Sequence, residues 1–145
     1  MNEPLLSCDT WEASRPAAVR DDPLWHSTAY RRAAYAVACA GVDATVAARE
    51  AVLVASAEQL VRAVASIAAN IAEGYSRSSG ADRVRFYEYA LGSAREAITW
   101  YETLTHVLGA DTVAERQETL AVVRRLLLAT IPRERRRTIR PLTTT

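Results

Sequence analysis

The chain has 145 residues, half of them hydrophobic and 24% charged, with a formal net charge of +1. That length and balance fit one domain with its own core, and they exclude a polycation, a disulfide scaffold and a chain too small to fold without metal. Only five Gly and five Pro stand against abundant Ala, which favours helix, since Ala costs least and Gly and Pro most to hold in one.

Residues 1–22 hold Pro4, Pro16, scattered charge and no sustained period, and read as an irregular arm. The arm is acidic, with Glu3, Asp9, Glu12, Asp21 and Asp22 against Arg15 and Arg20. Leu5, Leu6 and Trp11 are the side chains by which it could dock. No basic stretch precedes an apolar run near Met1, so no signal peptide is expected. No uninterrupted apolar stretch reaches spanning length, so no membrane association is expected either. Cys8 and Cys39 have no metal or disulfide spacing. A reducing compartment fits, and the expected location is cytoplasmic.

A first helix is predicted from Asp22 as N-cap with Pro23 at the first helical position. It runs through Trp25, Ala29, Arg32 or Ala33, Ala36 and Cys39 or Ala40, and Gly41 should end it. Asp43 then reads as the cap of a second helix reaching Tyr75, with a break near residues 46–50. Within it Leu53, Ala57, Leu60, Val64, Ile67 and Ile71 keep steps of three and four, the strongest helical signal in the chain. Gly74 and Ser76-Arg77-Ser78-Ser79-Gly80 read as a short loop, with Ser79 or Asp82 capping the next helix. That third helix should span Ala81 to Leu108. Gly92-Ser93-Ala94 in its middle is read as a small patch that admits a neighbouring helix backbone, and Gly109 as its end. The fourth should start at Asp111, continue through Val113, Leu120, Val123, Leu127 and Ile131, and stop at Pro132. Four amphipathic helices with short loops predict an all-α, antiparallel up-down four-helix bundle over residues 23–131. Residues 132–145 are left as a basic tail.

One helix face carries more than a core needs. Gln59, Arg62, Ser66, Asn70 and Glu73 recur at helical spacing beside the apolar stripe. Glu73 as a catalytic base would need a positioned nucleophile or water, and no partner is evident. A structural polar seam fits better. Buried polar groups must be paired, and Arg62 with Glu73 or Glu96 would make such a pair.

The same stretch carries a resemblance. Ser66-Ile67-x-x-Asn70-Ile71-Ala72-Glu73-Gly74 resembles the signature of the four-helix bundle proteins encoded in intervening sequences of bacterial 23S ribosomal RNA genes. Gln59-Leu60-x-Arg62-Ala63 precedes it at the family spacing, and Arg77 follows as the family's post-glycine arginine does. Phe86-x-x-x-Ala90-Leu91-Gly92-Ser93-x-x-Glu96 resembles the family's second block, and Leu24-Trp25 fits its first helix. The resemblance spans roughly residues 23–131. Ala68 stands where the family usually has Pro, Ile98 where it usually has an acid, residues 43–56 are unusually rich in Ala and Val, and the acidic arm is extra. The resemblance implies a homo-oligomer, often a five-membered ring. It includes accessory proteins of reverse transcriptases in diversity-generating retroelements, whose positively charged pentamers bind the polymerase and nucleic acid. For most members no catalytic activity is established, and no cofactor is expected for this chain.

All eighteen basic residues are Arg, the side chain suited to bidentate phosphate contacts. Arg133, Arg135, Arg136 and Arg137, backed by Arg124, Arg125 and Arg140, form the main nucleic-acid candidate. Arg77, Arg83 and Arg85 near the second loop form another. The alternative for both is a solvated charge run. His26 and His106 are far apart, no metal-ligand spacing is present, and the Gly74–Gly80 loop lacks the Lys and preceding strand of a phosphate loop. The expected function is therefore a non-enzymatic oligomer that binds RNA or DNA, a partner protein such as a reverse transcriptase, or both. The competing expectation is a purely structural or protein-interaction bundle without nucleic-acid affinity.

Overall fold

The computed structural model describes residues 5–137. Among these, every regular element is helical. Two short helices, α1 (Cys8–Ala13) and α2 (Ala17–Arg20), lead into a 3-10 turn at Pro23–His26. The long helices follow as α3 (Thr28–Ala47), α4 (Val54–Tyr75), α5 (Gly80–Thr103) and α7 (Ala110–Arg135), with a single turn, α6 (Thr105–Leu108), between the last two.

The arm is not irregular where it is described. Ser7 caps α1 by accepting from the Thr10 amide, and α1 docks on α3. Glu12 meets Arg32 at 2.7 Å and Arg31 at 3.5 Å. The Tyr35 hydroxyl donates to the Leu6 carbonyl at 2.8 Å, and Trp11 stands edge-on to Tyr35 at 5.6 Å. Scattered acids read as a solvated segment from sequence alone; opposite Arg31 and Arg32 they become the clamp that orders it.

Several helix boundaries also move. Asp22 does cap a turn with Pro23 behind it, accepting from the Leu24 amide at 2.9 Å, but that turn is 3-10. Helix α3 begins after Ser27, which accepts from Tyr30. It then runs through Gly41 without ending. Asp43 is no cap: it is 3% exposed within α3. The break before α4 begins within the expected residues 46–50, after Ala47, and extends through a 3-10 turn at Ala51–Leu53. Pro132 lies inside α7, which reaches Arg135. A proline removes the amide that would bond the carbonyl four residues back. Here both Pro132 and Leu128 are exposed, so the freed carbonyl lies on the water side and the helix continues.

Each long helix packs on two others, α3 on α4 and α7, and α5 on α4 and α7. Neighbours run antiparallel. Ser66 meets Ser93 while Gly74, further along α4, meets Tyr87, earlier on α5. Likewise Gln117 of α7 reaches the Ile98 carbonyl while Glu134 reaches Arg83. The shared core is built from Leu60, Val64 and Ile67 of α4, Tyr101 of α5 and Leu120, Val123 and Leu127 of α7. Helix α3 adds mostly small residues, Ala29, Ala33, Ala36 and Ala40, so the large side chains of its neighbours fill the space beside it. Each buried Leu or Ile contributes about 1.5–3 kcal/mol.

Two glycines divide differently from expectation. Gly92 is exposed and a Cβ there would meet nothing within 4 Å, so it admits no helix backbone. Gly74 is the closely packed one: a Cβ there would lie 2.8 Å from the Tyr87 ring and 3.1 Å from the Phe86 Cβ, side chains of α5. Gly92→Ala is therefore expected to stabilise by about 0.5–1 kcal/mol through helix propensity. Gly74→Ala is expected to destabilise by about 1–2 kcal/mol, because overpacking outweighs the same gain. Thermal unfolding of the two variants checks this; equal shifts would refute the assigned close contact.

Candidate nucleic-acid interface

Helix α7 ends against the turn between α4 and α5, and one ion pair holds the junction. Arg83 is fully buried and its Nε donates to Glu134 at 2.7 Å. Its Nη1 donates to the carbonyls of Arg77 and Ser78 at 3.0 and 2.7 Å. The guanidinium thus serves three acceptors on two segments, which offsets much of the desolvation that a buried charge suffers. Gly80 completes the junction, since a Cβ there would collide with the backbone carbonyls of Glu134 and Arg137. The sequence groups Arg83 with the phosphate contacts; its burial removes it from any surface and makes it the anchor beneath one.

Around this anchor the two arginine groups, separate in sequence, meet. Arg77 pairs with Glu73, Arg85 with Asp82 at 3.5 Å, and Arg135 with Glu88 of α5 at 3.8 Å. Arg137 reaches Glu134 at 3.7 Å, Arg133 donates to Thr130 at 3.3 Å, and Arg136 is exposed. Arg85, Arg135 and Arg137 each expose more than half their side chain. Six arginines therefore share this end with the exposed acids Glu73, Asp82 and Glu88. Arg124 and Arg125 do not join them. They lie some ten residues back along α7, about 15 Å at helical rise, and Arg125 pairs there with Glu118 at 3.3 Å. Arg140 falls outside the described residues.

The polar seam divides. Asn70 donates to the Ser66 carbonyl and Oγ at 2.8 and 2.9 Å, and Ser93 of α5 donates to Ser66 Oγ at 3.0 Å. These three half-buried residues link α4 to α5. Gln59, Arg62 and Glu73 are exposed, and Glu96 accepts from the Trp100 indole at 3.2 Å. The anticipated pair of Arg62 with Glu73 or Glu96 is not formed: Glu73 bonds Arg77, and Arg62 has no ion pair among the described residues.

At the opposite end a second buried network escaped sequence reading. Asp43 accepts from the Tyr101 hydroxyl at 2.6 Å and from Arg116 Nε at 2.8 Å, tying α3 to α5 and α7. Burial and the bond to Asp43 push the Tyr101 hydroxyl far up. Burial alone would lower Arg116, but its bond to Asp43 raises it. The available signal was position: Asp43 falls three residues after Ala40 and four before Ala47, on the apolar stripe of α3. Glu134, three residues after Ile131, gave the same signal on α7.

Burial, then Glu12, pushes the Cys8 thiol up to about 11, and burial raises Cys39 as well, so both stay protonated near neutral pH. His26 lines a cavity of about 380 Å³ with Tyr75, Tyr87 and Arg133, far along the chain from His106. Among the described residues no group of three His, Cys, Asp or Glu side chains stands close enough to hold a metal ion.

Removing one partner of a buried pair strands the other charge, at a cost of about 3–5 kcal/mol. Glu134→Ala and Arg83→Ala should each lower the melting temperature by roughly ten degrees, at about 2–4 °C per kcal/mol for a chain of this size. The double variant should fall less than the sum of the two. Additive losses in calorimetry would show that the two side chains do not act as a pair.

Residues 30–128 match the model of the family described as 23S rRNA-intervening sequence protein. The crystal structure of a protein of unknown function from the S23 ribosomal protein family of Bacteroides thetaiotaomicron superposes with a TM-score of 0.68 at 21% identity, covering 72% of this chain and 98% of that one. At that identity the likeness speaks for the fold alone. No curated protein matches the chain. The family match takes in α4 and α5 entire, with both motif blocks and the Ser66–Asn70–Ser93 link between them: the chain belongs to the 23S rRNA-intervening sequence protein family.

Proposed function

We propose that this protein is a non-enzymatic, homo-oligomeric four-helix bundle that binds nucleic acid through the arginine-rich end of each subunit. The observation that carries the reading is the gathering of Arg77, Arg85, Arg133, Arg135, Arg136 and Arg137 over the buried Arg83–Glu134 pair. Exposed pairs with Glu73, Asp82 and Glu88 are weak, so these arginines can exchange a carboxylate for a phosphate. Arrayed around a ring, they would form a strongly positive rim whose affinity falls with salt. The partner protein suggested by the resemblance is a reverse transcriptase of a diversity-generating retroelement, acting in the bacterial cytoplasm; a pentamer is the assembly it suggests.

Oligomerisation has its own support. Ala51–Tyr75 is 25 residues long and its most apolar stretch has a mean hydropathy of 1.5, apolar and long enough by composition to cross a membrane, yet only 28% of that stretch is buried. This goes beyond what uninterrupted apolar runs alone disclosed. One face of α4 enters the core through Leu60, Val64, Ile67 and Ile71, while Val52, Val54 and Val61 remain exposed. A groove of about 440 Å³ between α3 and α4 continues that outer face along Gly41, Ala44, Ala48 and Val54. That outer face also carries the exposed Glu58, Gln59 and Arg62, so it is a mixed surface whose valines a second subunit would cover. The same surface favours the second reading, a protein-interaction bundle without nucleic-acid affinity, because it needs none of the arginines.

Light scattering on the eluting protein should give a mass several times that of one chain. Val54→Glu with Val61→Glu should shift it toward one chain while far-UV circular dichroism stays unchanged. Filter retention of labelled RNA or DNA should fall by about 10³–10⁵ between 50 and 200 mM salt if six to ten phosphates are engaged. A monomer, or an oligomer that retains nothing at low salt, would refute the oligomeric or the nucleic-acid part respectively.

A further inference from the structure

We propose that Phe86 and Tyr89, flanked by Arg77 and Arg85, form a stacking platform for unpaired bases, so that the nucleic acid taken at this end is single-stranded. The inference rests on the nucleic-acid reading above and names the substrate class of the same site.

Positions 82, 85, 86 and 89 share one side of α5 at helical spacing. Phe86 and Tyr89 stand edge-to-face there, with ring centroids 5.9 Å apart and planes at 85°. The guanidinium carbons of Arg77, from the preceding turn, and of Arg85 each lie 5.0 Å from the Phe86 centroid. Phe86 is half-buried and packs beside Gly74, so the cluster is fastened to α4. Tyr89 is 55% exposed, and its hydroxyl has no hydrogen-bond partner among the described residues.

An exposed tyrosine alone requires no explanation. An exposed tyrosine beside an anchored phenylalanine that gathers two guanidiniums is a different object. Contact with Phe86 limits the freedom of both arginines, so less rotamer entropy is lost when phosphates bind them. The open ring of Tyr89 offers a π-face to a base, as aromatic side chains do in proteins that hold single strands between basic groups. A duplex hides its base faces within the stack and would leave Tyr89 unused. Arg135, paired with Glu88 next to Tyr89, extends the phosphate path toward the end of α7. The competing carboxylates Glu73 and Asp82 belong to exposed pairs, which yield readily to phosphate.

The test uses the full chain, fluorescein-labelled oligo(U) and oligo(dT) strands and a blunt duplex of equal length, with anisotropy read across a salt series. Wild type should prefer the single strands. Tyr89→Ala should weaken single-strand binding roughly fivefold to a hundredfold and leave duplex binding unchanged, and Tyr89→Phe should retain wild-type affinity. Arg85→Ala should reduce the single-strand salt slope by about 0.7. Circular dichroism and elution volume must match wild type for each variant; a Tyr89→Ala protein of altered mass would show that a second subunit covers the ring and would overturn the platform. So would unchanged single-strand affinity in Tyr89→Ala, an equal loss for both substrates, or a preference for duplex. If binding is lost only on replacing Arg135, Arg136 and Arg137, the nucleic-acid reading stands and the platform falls. If wild type binds neither substrate, the nucleic-acid reading itself fails.

Discussion

The buried pair between Arg83 and Glu134 decides how this molecule presents its charge. A guanidinium at zero exposure needs partners for its donors; Glu134 and the carbonyls of Arg77 and Ser78 supply three acceptors, while the buried Nη2 has no hydrogen-bond partner among the described residues. Those acceptors come from the last turns of α7 and from the α4–α5 turn. The pair therefore locks two segments more than fifty residues apart into one corner. Every surface arginine proposed to bind nucleic acid at this end hangs from that corner. Helix α7 continuing beyond Pro132 is part of the same device, because a helix stopping at Ile131 would leave Glu134 out of reach.

The far end repeats the solution with different residues. Asp43 collects Tyr101 and Arg116, so α3 is tied to α5 and α7 by hydrogen bonds as well as by alanine packing. Alanine contacts are weakly directional and leave a helix free to slide by a turn. Polar networks at both ends, and the Ser66–Asn70–Ser93 link between α4 and α5, oppose such slippage, the use for which buried polar groups in helical assemblies are best attested. The arm adds a third restraint on α3 through Glu12, Arg31 and Arg32.

Helix α4 accounts for the split between fold and assembly. Its inner stripe is what makes the chain fold, while its outer valines and the groove beside α3 are what a lone chain leaves uncovered. The acids on the surface temper the arginines rather than cancel them: Glu73, Asp82 and Glu88 pair with Arg77, Arg85 and Arg135 in exposed contacts that are individually weak. The arginine-rich end and the uncovered valines of α4 thus occupy different parts of the molecule.

Legibility in the sequence depends on range. Local patterns determined the helical class, the long stripe from Leu53 to Ile71, the Ser79 cap and the glycine after Leu108, because each depends on residues within a few positions. The two motif blocks determined the family for the same reason. Tertiary packing decided what the polar residues do. Asp43 reads as a cap in sequence, and only its neighbours Tyr101 and Arg116 make it a core residue. Arg83 and Arg85 are equivalent arginines two positions apart, yet one faces Glu134 and the other faces water, since two positions on a helix are about 200° apart. Gly74 reads as loop and Gly92 as the close-packing site until the ring of Tyr87 is placed against Gly74. The sequence by itself determined the helices and where charge is abundant; the tertiary structure decided which charges are buried, which are gathered, and which face is left uncovered, because burial is a property of neighbours far apart in the chain.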